Sequence, residues 1–315
     1  MYKEHSVAVV VPAYNEETQI ARVIETMPDF VDRIVVVDDK STDNTSTVVE
    51  SFLVKDPRVI LLRHEANQGV GGAIATGYMW ARDNGMDTAT VMAGDGQMDP
   101  ADLPALLDPV VAEGVDYVKG NRLVYDDAFT IIPKTRFFGN AALSYLTKIA
   151  SGYWHIADSQ AGYTTIGKRA LHAVDWNQMY KRYGQPNDLL VRLNVLDMRV
   201  RDVPIRPVYN IGEKSGIKVR KVLFTISALL VRMYLWRLWK KYVIRDAHPL
   251  VLFIFFGFFM FALCGVLSLR LLIRWFIDGY APIMTSMAML FTFTIGIQSF
   301  FFGWWMDMDK NKHLR

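Results

Sequence analysis

Two long stretches without a charged residue constrain this chain most. Residues 250–269 are twenty uncharged, mainly apolar residues, and residues 283–306 form a second and longer stretch. A helix of about 20 residues spans the roughly 30 Å hydrocarbon core of a bilayer. Buried core helices are the alternative, but two adjacent uncharged stretches favour a transmembrane hairpin. Charged residues and turn formers predict the connection between the spans, at Arg270, Arg274, Asp278, Gly279 and Pro282.

The composition agrees with a membrane protein whose apolar residues are concentrated near one end. The 315 residues are 51% hydrophobic with a mean hydropathy of +0.14, which is high for a wholly soluble protein. The formal net charge of +3 is too small to indicate a nucleic-acid partner. The single cysteine, Cys264, lies within the first apolar stretch, so neither a disulfide framework nor a thiolate metal site is available.

Basic residues near the two spans predict their orientation. Residues 214–245 contain nine Lys or Arg and no Asp or Glu, and the C-terminal tail adds Lys310, Lys312 and Arg315. Two spans leave both termini on one side, and an excess of Lys and Arg marks that side as cytoplasmic. Residues 222–244 have a helical pattern with interfacial Trp, which predicts a helix in the headgroup layer. An amphipathic helix packed on the domain is the alternative. The predicted basic stripe comprises Arg232, Arg237, Lys241 and Arg245.

Residues 6–120 alternate between short β-branched stretches and helical patterns. Such alternation predicts a doubly wound, mostly parallel α/β sheet. The predicted strands are 7–11, 34–37, 59–62, 89–92 and 115–118, and the predicted helices are 16–27, 44–54, 71–84 and 102–113. Residues 125–196 mix aromatic, glycine and charged residues, and we interpret them as an acceptor-binding region.

Polar clusters follow several of these strands, at the sheet edge where α/β proteins bind ligands. Residues 11–17 and 37–43 follow the first two strands, and the second cluster contains adjacent carboxylates that suit a base edge and ribose hydroxyls. Residues 67–72 are rich in glycine, which allows close backbone approach. After the fourth strand, Asp95, Gln97 and Asp99 offer oxygen ligands suited to Mg²⁺ or Mn²⁺. Polar turns and helix caps are the alternative.

Taken together, these clusters resemble the family 2 glycosyltransferases with a GT-A fold. The matching segments are PAYNEE, VDDKSTDNT, NQGVGGA and GDGQMDP, in that order and at those strand ends. The later segments KGNR and DSQAGY are similar to the polyprenyl-phosphate hexosyltransferases, the group that contains the dolichyl-phosphate mannose and glucose synthases. The resemblance covers about residues 5–245. It implies an inverting transfer of a hexose from a UDP- or GDP-linked donor to polyprenyl or dolichyl phosphate.

The resemblance assigns residues to the donor site. A metal at Asp95 and Gln97 would hold the diphosphate, with Mg²⁺ or Mn²⁺ as cofactor. The chain departs from the family at Ala93, where the usual Asp-x-Asp has its first carboxylate. Because Mg²⁺ often binds through one or two carboxylates plus substrate phosphates, transfer is still expected. The expected nucleotide-binding residues are Pro12, Tyr14, Glu16, Asp38, Asp39 and Gly69.

The acceptor site is expected to contain arginines, because a guanidinium grips phosphate in a fork. Arg122 and Arg136 are the candidates, with a solvated basic face as the alternative. Asp158 resembles the catalytic Asp of the family, and Asp188 is the second choice. The resemblance places Ser215 and Lys218 in a loop that closes over the donor phosphates.

The predicted organisation has four parts. They are a GT-A domain at residues 1–212, a donor loop and interfacial helix at 213–247, two transmembrane helices at 248–306, and a cytoplasmic tail at 307–315. Self-association is left open. Two other functions remain: a nucleotide-sugar-binding membrane subunit without catalysis, suggested by Ala93, and a polysaccharide synthase. The second would typically carry a Gln-x-x-Arg-Trp motif and more spans, and the sequence contains neither.

Overall fold

A computed structural model describes residues 1–124, 131–206, 208 and 219–315, apart from the side chains of 135, 136 and 219–223. These residues form two compact units. Unit 1 comprises Met1–Tyr234 with Leu314–Arg315, and unit 2 comprises Leu235–His313.

A seven-stranded sheet forms the centre of unit 1. The strands are β1 (Val7–Ala13), β2 (Arg33–Asp38), β3 (Val59–Arg63), β4 (Thr88–Val91), β5 (Tyr117–Asn121), β6 (Thr164–Gly167) and β7 (Val200–Pro204). Their order across the sheet is β3-β2-β1-β4-β6-β5-β7, and only β6 pairs antiparallel to its neighbours among the described strands. In the central register, Val9 pairs with Ile34 on one side and Thr90 on the other. The predicted α/β class with a mostly parallel sheet is confirmed.

Helices cover both faces of the sheet. The described helices of unit 1 are α1 (Ile20–Glu25), α2 (Thr45–Leu53), α3 (Val70–Asp83), α4 (Leu103–Glu113), α5 (Lys134–Ser151), α6 (Lys168–Ala173) and α7 (Gln185–Val195). Successive residues of β1 belong to two different apolar clusters, Ala8 and Val10 to one, Val7 and Val9 to the other. A strand buried on both faces needs an unbroken apolar sequence, which explains the VAVVV run.

Several predicted boundaries were wrong in detail. The strand expected at 115–118 begins at Tyr117 and continues to Asn121, so Lys119 is a strand residue. The helix expected from residue 16 begins at Ile20, because residues 14–19 form a loop that is bonded to the next loop of the sheet edge. Within residues 125–196, the sequence analysis did not anticipate β6, α6 or α7.

Unit 2 contains a helical hairpin. Helix α8 (Val219–Arg237) continues into π-helical turns at Leu238–Arg245, followed by α9 (Leu250–Asp278) and α10 (Ile283–Asn311). Both α9 and α10 are long and apolar enough to cross a membrane. They pack through glycines: a Cβ on Gly257 would lie 2.9 Å from Phe300 Cε2, and one on Gly303 would lie 2.5 Å from Ile254 Cδ1.

The connection between these helices is shorter than expected. Arg270 and Arg274 lie inside α9, which ends only at Gly279 with a left-handed φ of 74°. Their long side chains can extend from the end of a helix toward a polar layer, so the two charges do not stop the helix. The connection is therefore residues 279–282.

Two cations of the predicted basic stripe do not face outward. Arg237 and Lys241 are fully buried within unit 2, where Arg237 forms a two-point ion pair with Asp307 at 2.8 and 3.0 Å. Lys241 Nζ donates to Asn311 Oδ1 at 2.8 Å. These contacts fix the π-helical turns to α10. The other two cations of the stripe, Arg232 and Arg245, are exposed.

Candidate active site

Most of the sequence-predicted site residues collect at one edge of the sheet. Residues 14–17, 38–39, 93–99 and 121–122 follow β1, β2, β4 and β5, whose carboxyl ends all meet there. Since β6 runs in the opposite direction, the segment that precedes it, residues 158–163, reaches the same edge. The topology therefore brings the predicted donor and acceptor segments together.

The Asp39 carboxylate, predicted to contact the nucleoside, is committed to the protein. It is buried and accepts hydrogen bonds from the backbone N–H of Gln68 at 2.8 Å and of Gly69 at 2.7 Å. Its Oδ1 also lies 2.7 Å from Nδ1 of His64, whose other ring nitrogen contacts Thr76. Asp39 thus shapes the loop at residues 67–69, and His64 is a partner that the sequence analysis missed.

The first two loops of the sheet edge are bonded to each other. Asp38 is buried and binds the N–H of Ser41 and the hydroxyl of Ser46. Asn15 Oδ1 accepts from the N–H of Thr42 at 2.8 Å. Pro12 is buried in β1, and its carbonyl accepts from Gly94 at 3.2 Å. Among the predicted nucleotide residues, the exposed Tyr14 and the half-buried Glu16 are open to a ligand.

The glycine-rich segment, residues 67–72, packs against the backbone of another segment of the chain. Gly69 has a φ of 84°, and a Cβ there would lie 2.6 Å from the carbonyl oxygen of Lys181. A Cβ on Gly71 would lie 2.3 Å from the carbonyl oxygen of Tyr180. The close approach that these glycines allow is therefore to residues 180–181 of the same chain.

The predicted metal loop is ordered around Asp95. Asp95 Oδ1 accepts from the N–H of Gln97 at 3.0 Å, and the Asp99 side chain caps the turn at 100–102. Burial, together with the negative charges of Asp95 and Asp43, raises the pKa of Glu16 to about 7. The negative charges of Glu16 and Asp95 are therefore close enough to repel each other.

The residues present fit a hard divalent cation only with help from the ligand. No group of three His, Cys, Asp or Glu suitable for a metal occurs among the residues described. Asp95 and Gln97 supply one carboxylate and one amide oxygen, and Ala93 supplies no side-chain oxygen, so the remaining ligands must come from diphosphate and water. The buried amide nitrogen of Gln97 has no hydrogen-bond partner within the described structure, and as a donor it suits a phosphate oxygen rather than the cation.

Asp158 and Arg122 form an ion pair within the site. Asp158 is fully buried, and its carboxylate receives Arg122 Nε at 2.8 Å and Nη2 at 3.2 Å. Burial raises the pKa of Asp158, but Arg122 and Lys119 outweigh it and hold that pKa below its ordinary value. Asp158 therefore stays ionised, and it fixes Arg122 in place.

Arg122 lines a small cavity of about 50 Å³. The lining also includes Arg206 and Gln97, and no Asp or Glu lines the cavity among the residues that the structure describes. Its remaining lining residues are Met98, Ala161, Gly162, Tyr163, Ile205 and Val208. Such a lining favours an anion.

Lys119 is a buried cation that the sequence analysis did not assign. Its Nζ donates to the carbonyl of Ala161 at 2.8 Å, which holds the segment before β6. Burial lowers the pKa of Lys119 to about 8, although Asp158 and Asp202 oppose that shift. A lone Lys in the apolar strand sequence YVKGN was the available signal.

Asp188, the second catalytic candidate, is tied to its neighbours. It is buried and accepts from the N–H of Tyr180 at 2.8 Å and from Arg192 Nε at 3.0 Å. Burial raises its pKa, and these donors oppose the rise. Its visible role is to order the segment against which Gly69 and Gly71 pack.

Three predicted phosphate-binding side chains, one on the acceptor side and two in the donor loop, lie outside the described part of the chain. Ser215 and Lys218 are beyond the described residues, as is the side chain of Arg136, whose backbone belongs to α5.

The described residues of unit 1 form an α/β protein in which the predicted donor and acceptor segments meet at one edge of a mostly parallel sheet. The family model described as "Glycosyl transferase family 2" matches residues 8–182. The chain belongs to this family and is a glycosyltransferase. The predicted family membership is confirmed.

Relatives with curated names act on lipid phosphates. A UDP-N-acetylglucosamine–dolichyl-phosphate N-acetylglucosaminyltransferase from Methanococcus voltae is 32% identical over 214 residues, 64% of this chain and 85% of the relative. An undecaprenyl-phosphate mannosyltransferase from Micrococcus luteus is 31% identical over 63% of this chain and 82% of its own length. The predicted similarity to polyprenyl-phosphate hexosyltransferases is confirmed by these names.

A solved structure shares the fold. Glucosyl-3-phosphoglycerate synthase from Mycobacterium tuberculosis, crystallised with Mn²⁺ and UDP, superposes with a TM-score of 0.53 at 20% identity, over 74% of this chain and 80% of that one. This likeness confirms the GT-A fold class.

Proposed function

We propose that this protein transfers a hexose from a UDP- or GDP-linked donor to a polyprenyl or dolichyl phosphate at a membrane surface. The observation that carries the proposal is Arg122, which is held by buried Asp158 and lines a cavity together with Arg206 and Gln97, at the edge where the donor segments also meet. The printed activities of the relatives support the same lipid-phosphate acceptor.

The reaction is an in-line displacement. A phosphate oxygen of the acceptor attacks the anomeric carbon of the sugar, the bond from that carbon to the diphosphate breaks, and the nucleoside diphosphate departs. A phosphate monoester has a second pKa near 6, so the acceptor arrives largely ionised and needs little base catalysis. The protein must mainly position two anions and offset their repulsion.

The proposed roles follow the contacts. Arg122 grips the acceptor phosphate, and Asp158 keeps its guanidinium in place. Tyr14 and Glu16 border the nucleoside, while Asp38, Asp39 and Gly69 build the walls of that site. Pro12, Asp188, Arg136, Ser215 and Lys218 keep their predicted roles as proposals.

A divalent cation, Mg²⁺ or Mn²⁺, held by Asp95 and Gln97 would neutralise charge on the departing diphosphate. Because this chain offers few ligands of its own, we expect weak metal binding without donor. Chelation by EDTA should abolish transfer, and addition of Mn²⁺ should restore it. Isothermal titration of Mn²⁺ with and without UDP should show that the nucleotide tightens metal binding.

One assay tests the function. Membranes containing the protein are incubated with radiolabelled UDP-glucose, UDP-N-acetylglucosamine or GDP-mannose, each with undecaprenyl or dolichyl phosphate. Transfer of label to a chloroform-soluble lipid phosphate is expected for at least one pair and should be lost in Arg122→Ala. Arg201→Ala is the matched control, because Arg201 pairs with exposed Glu113. Donor binding without any transfer would favour the silent subunit, and a growing water-soluble polymer would favour the polysaccharide synthase.

We also propose that α9 and α10 cross the membrane with both chain ends in the cytoplasm. Their length and apolar composition support a hairpin. The basic residues before Pro249 and after Met306 support the orientation, since cytoplasmic flanks are enriched in Lys and Arg.

A further inference from the structure

The outward face of α10 carries an amide without a hydrogen-bond partner in the described structure. Gln298 is exposed, and with Phe301, Phe302 and Trp305 it lines a groove of about 250 Å³. Hydroxyl groups on the same helix behave differently. Thr294 and Ser299 donate to carbonyls one turn earlier, which satisfies them within α10. A glutamine amide on this face is left to find a partner elsewhere.

Gln298 lies within a regular stripe. Exposed residues of α10 recur at alternating spacings of three and four, the 3.5-residue average of a left-handed helix pair. The stripe comprises Met284, Met287, Phe291, Thr294, Gln298, Phe301, Trp305 and Met308. The opposite side of α10 is already used, because Thr292, Gly296, Ser299 and Gly303 are buried in the hairpin.

Lipid hydrocarbon cannot form hydrogen bonds with an amide. If Gln298 lies in the bilayer core, a polar partner buried there with it is therefore favoured. A polyprenyl chain offers no polar atom there. A second copy of this helix offers such a polar atom, because a glutamine side chain has both a hydrogen-bond donor and an acceptor. Two glutamine side chains related by a twofold axis can therefore form hydrogen bonds with each other.

We propose that two copies of this chain associate along the α10 stripe, with the two Gln298 amides hydrogen-bonded across the interface. The inference rests on the proposed membrane-spanning hairpin and is independent of which sugar is transferred. As in coiled coils with one buried amide, Gln298 fixes the register of the pair.

Cysteine cross-linking in native membranes tests the pairing. The chain has one cysteine, so Cys264→Ala provides a clean background. Gln298→Cys is compared with Phe259→Cys, which is exposed on α9 at a similar depth, since the neighbouring Met260 lies against Gly296. We expect an oxidative cross-linked dimer at position 298 and none at 259. Equal cross-linking at both positions, or none at either, would overturn the proposal.

A second measurement distinguishes whether the dimer proposal or the proposed membrane-spanning hairpin is wrong. Both cysteines should resist a membrane-impermeant maleimide if α9 and α10 lie in the bilayer, and labelling of both would reject the hairpin itself. In the otherwise native chain, Gln298→Leu should raise the dimer dissociation constant in nanodiscs roughly tenfold, as expected for loss of interhelical amide bonds. A dimer unchanged by Gln298→Leu, or a cross-link from residue 298 to a different protein, would contradict pairing of two copies.

Discussion

Asp158 and Arg122 are most informative as a pair. A fully buried carboxylate is unfavourable unless it is paired, and here its partner is the partly exposed guanidinium of Arg122, which lines a cavity with Arg206 and Gln97. The burial of Asp158 argues that it acts through Arg122 rather than as a base for the acceptor. If Asp158 acts through Arg122, its loss should weaken use of the lipid phosphate and leave nucleotide binding nearly unchanged.

We predict that Asp158→Asn releases Arg122 and lowers kcat/KM for the lipid phosphate by roughly 10- to 100-fold, the loss expected when a charge-assisted hydrogen bond is removed. Binding of the nucleotide, measured by titration calorimetry with UDP or GDP, should change less than threefold. Asp175→Asn is the control, because Asp175 caps a turn at the surface. An equal loss of nucleotide affinity would show that Asp158 supports the donor site instead.

Lys119 makes a pH-dependent contribution to stability. Its pKa is about 8 in the fold against an ordinary 10.5. Between these values the unfolded chain binds the proton and the folded chain does not, so stability rises with pH. We predict that the Tm of the wild type, relative to Lys119→Met, increases between pH 8 and 10. A Tm difference that stays constant over this range would mean that Lys119 titrates normally.

Among the strands and helices, the sequence alone was sufficient to predict an element where burial of apolar residues determined its structure. Strands β1 and β2 were predicted because burial on both faces demands uninterrupted apolar residues. Strand β6 was missed because its sequence, TTIG, has neither that run nor a clear alternation. Its pairing with β4 and β5 depends on residues far away in the chain.

For the site residues too, the sequence predicted the positions along the chain but not the contacts with distant residues. The positions of Asp39 and Asp95 at strand ends follow from the motifs. Their partners do not, because the contacts of Asp39 with His64 and Gly69 join segments about 25 to 30 residues apart. Gly71 shows the limit most clearly: glycine indicates close approach, but the sequence cannot say whether a ligand or the backbone of Tyr180 approaches.

The π-helical turns have a specific anchor in α10. Arg237, Lys241 and Tyr242 all bond to Asp307 or Asn311 in the interior of unit 2. Asp307 pairs with the buried Arg237 and accepts from Tyr242, so this cluster tolerates loss of Asp307 poorly. Removing one partner of a buried ion pair costs about 3–5 kcal/mol.

We predict that Asp307→Asn lowers the thermal stability of the detergent-solubilised protein and exposes residues 238–245 to protease. The matched control is Asp309→Asn, two residues away, whose partner Lys312 is exposed. Surface pairs contribute about 0–1 kcal/mol, so this control should resemble the wild type. Similar behaviour of the two variants would mean that the buried pair does not anchor the turns. Replacing Arg237 and Asp307 together with Met and Leu should restore part of the loss.

At the scale of the whole molecule, the order of the segments along the chain constrains which parts lie on the same side of a membrane. The family domain precedes the hairpin, and both apolar helices follow it without an intervening span among the described residues. If the two helices cross the bilayer, the chain enters and leaves on the same side. The catalytic unit and the C-terminal tail must then share a compartment, which is also where the donor must be available.

We predict that this compartment is the cytoplasm. In the Cys264→Ala background, Tyr280→Cys places a thiol in the connection between α9 and α10, and Lys312→Cys places one in the exposed tail. On intact cells an impermeant maleimide should label residue 280 but not 312, and permeabilisation should make 312 reactive. The reverse pattern would place the catalytic unit outside the cell, where nucleotide sugars are scarce. Labelling of both residues on intact cells would rule out a hairpin that places them on opposite sides of the membrane.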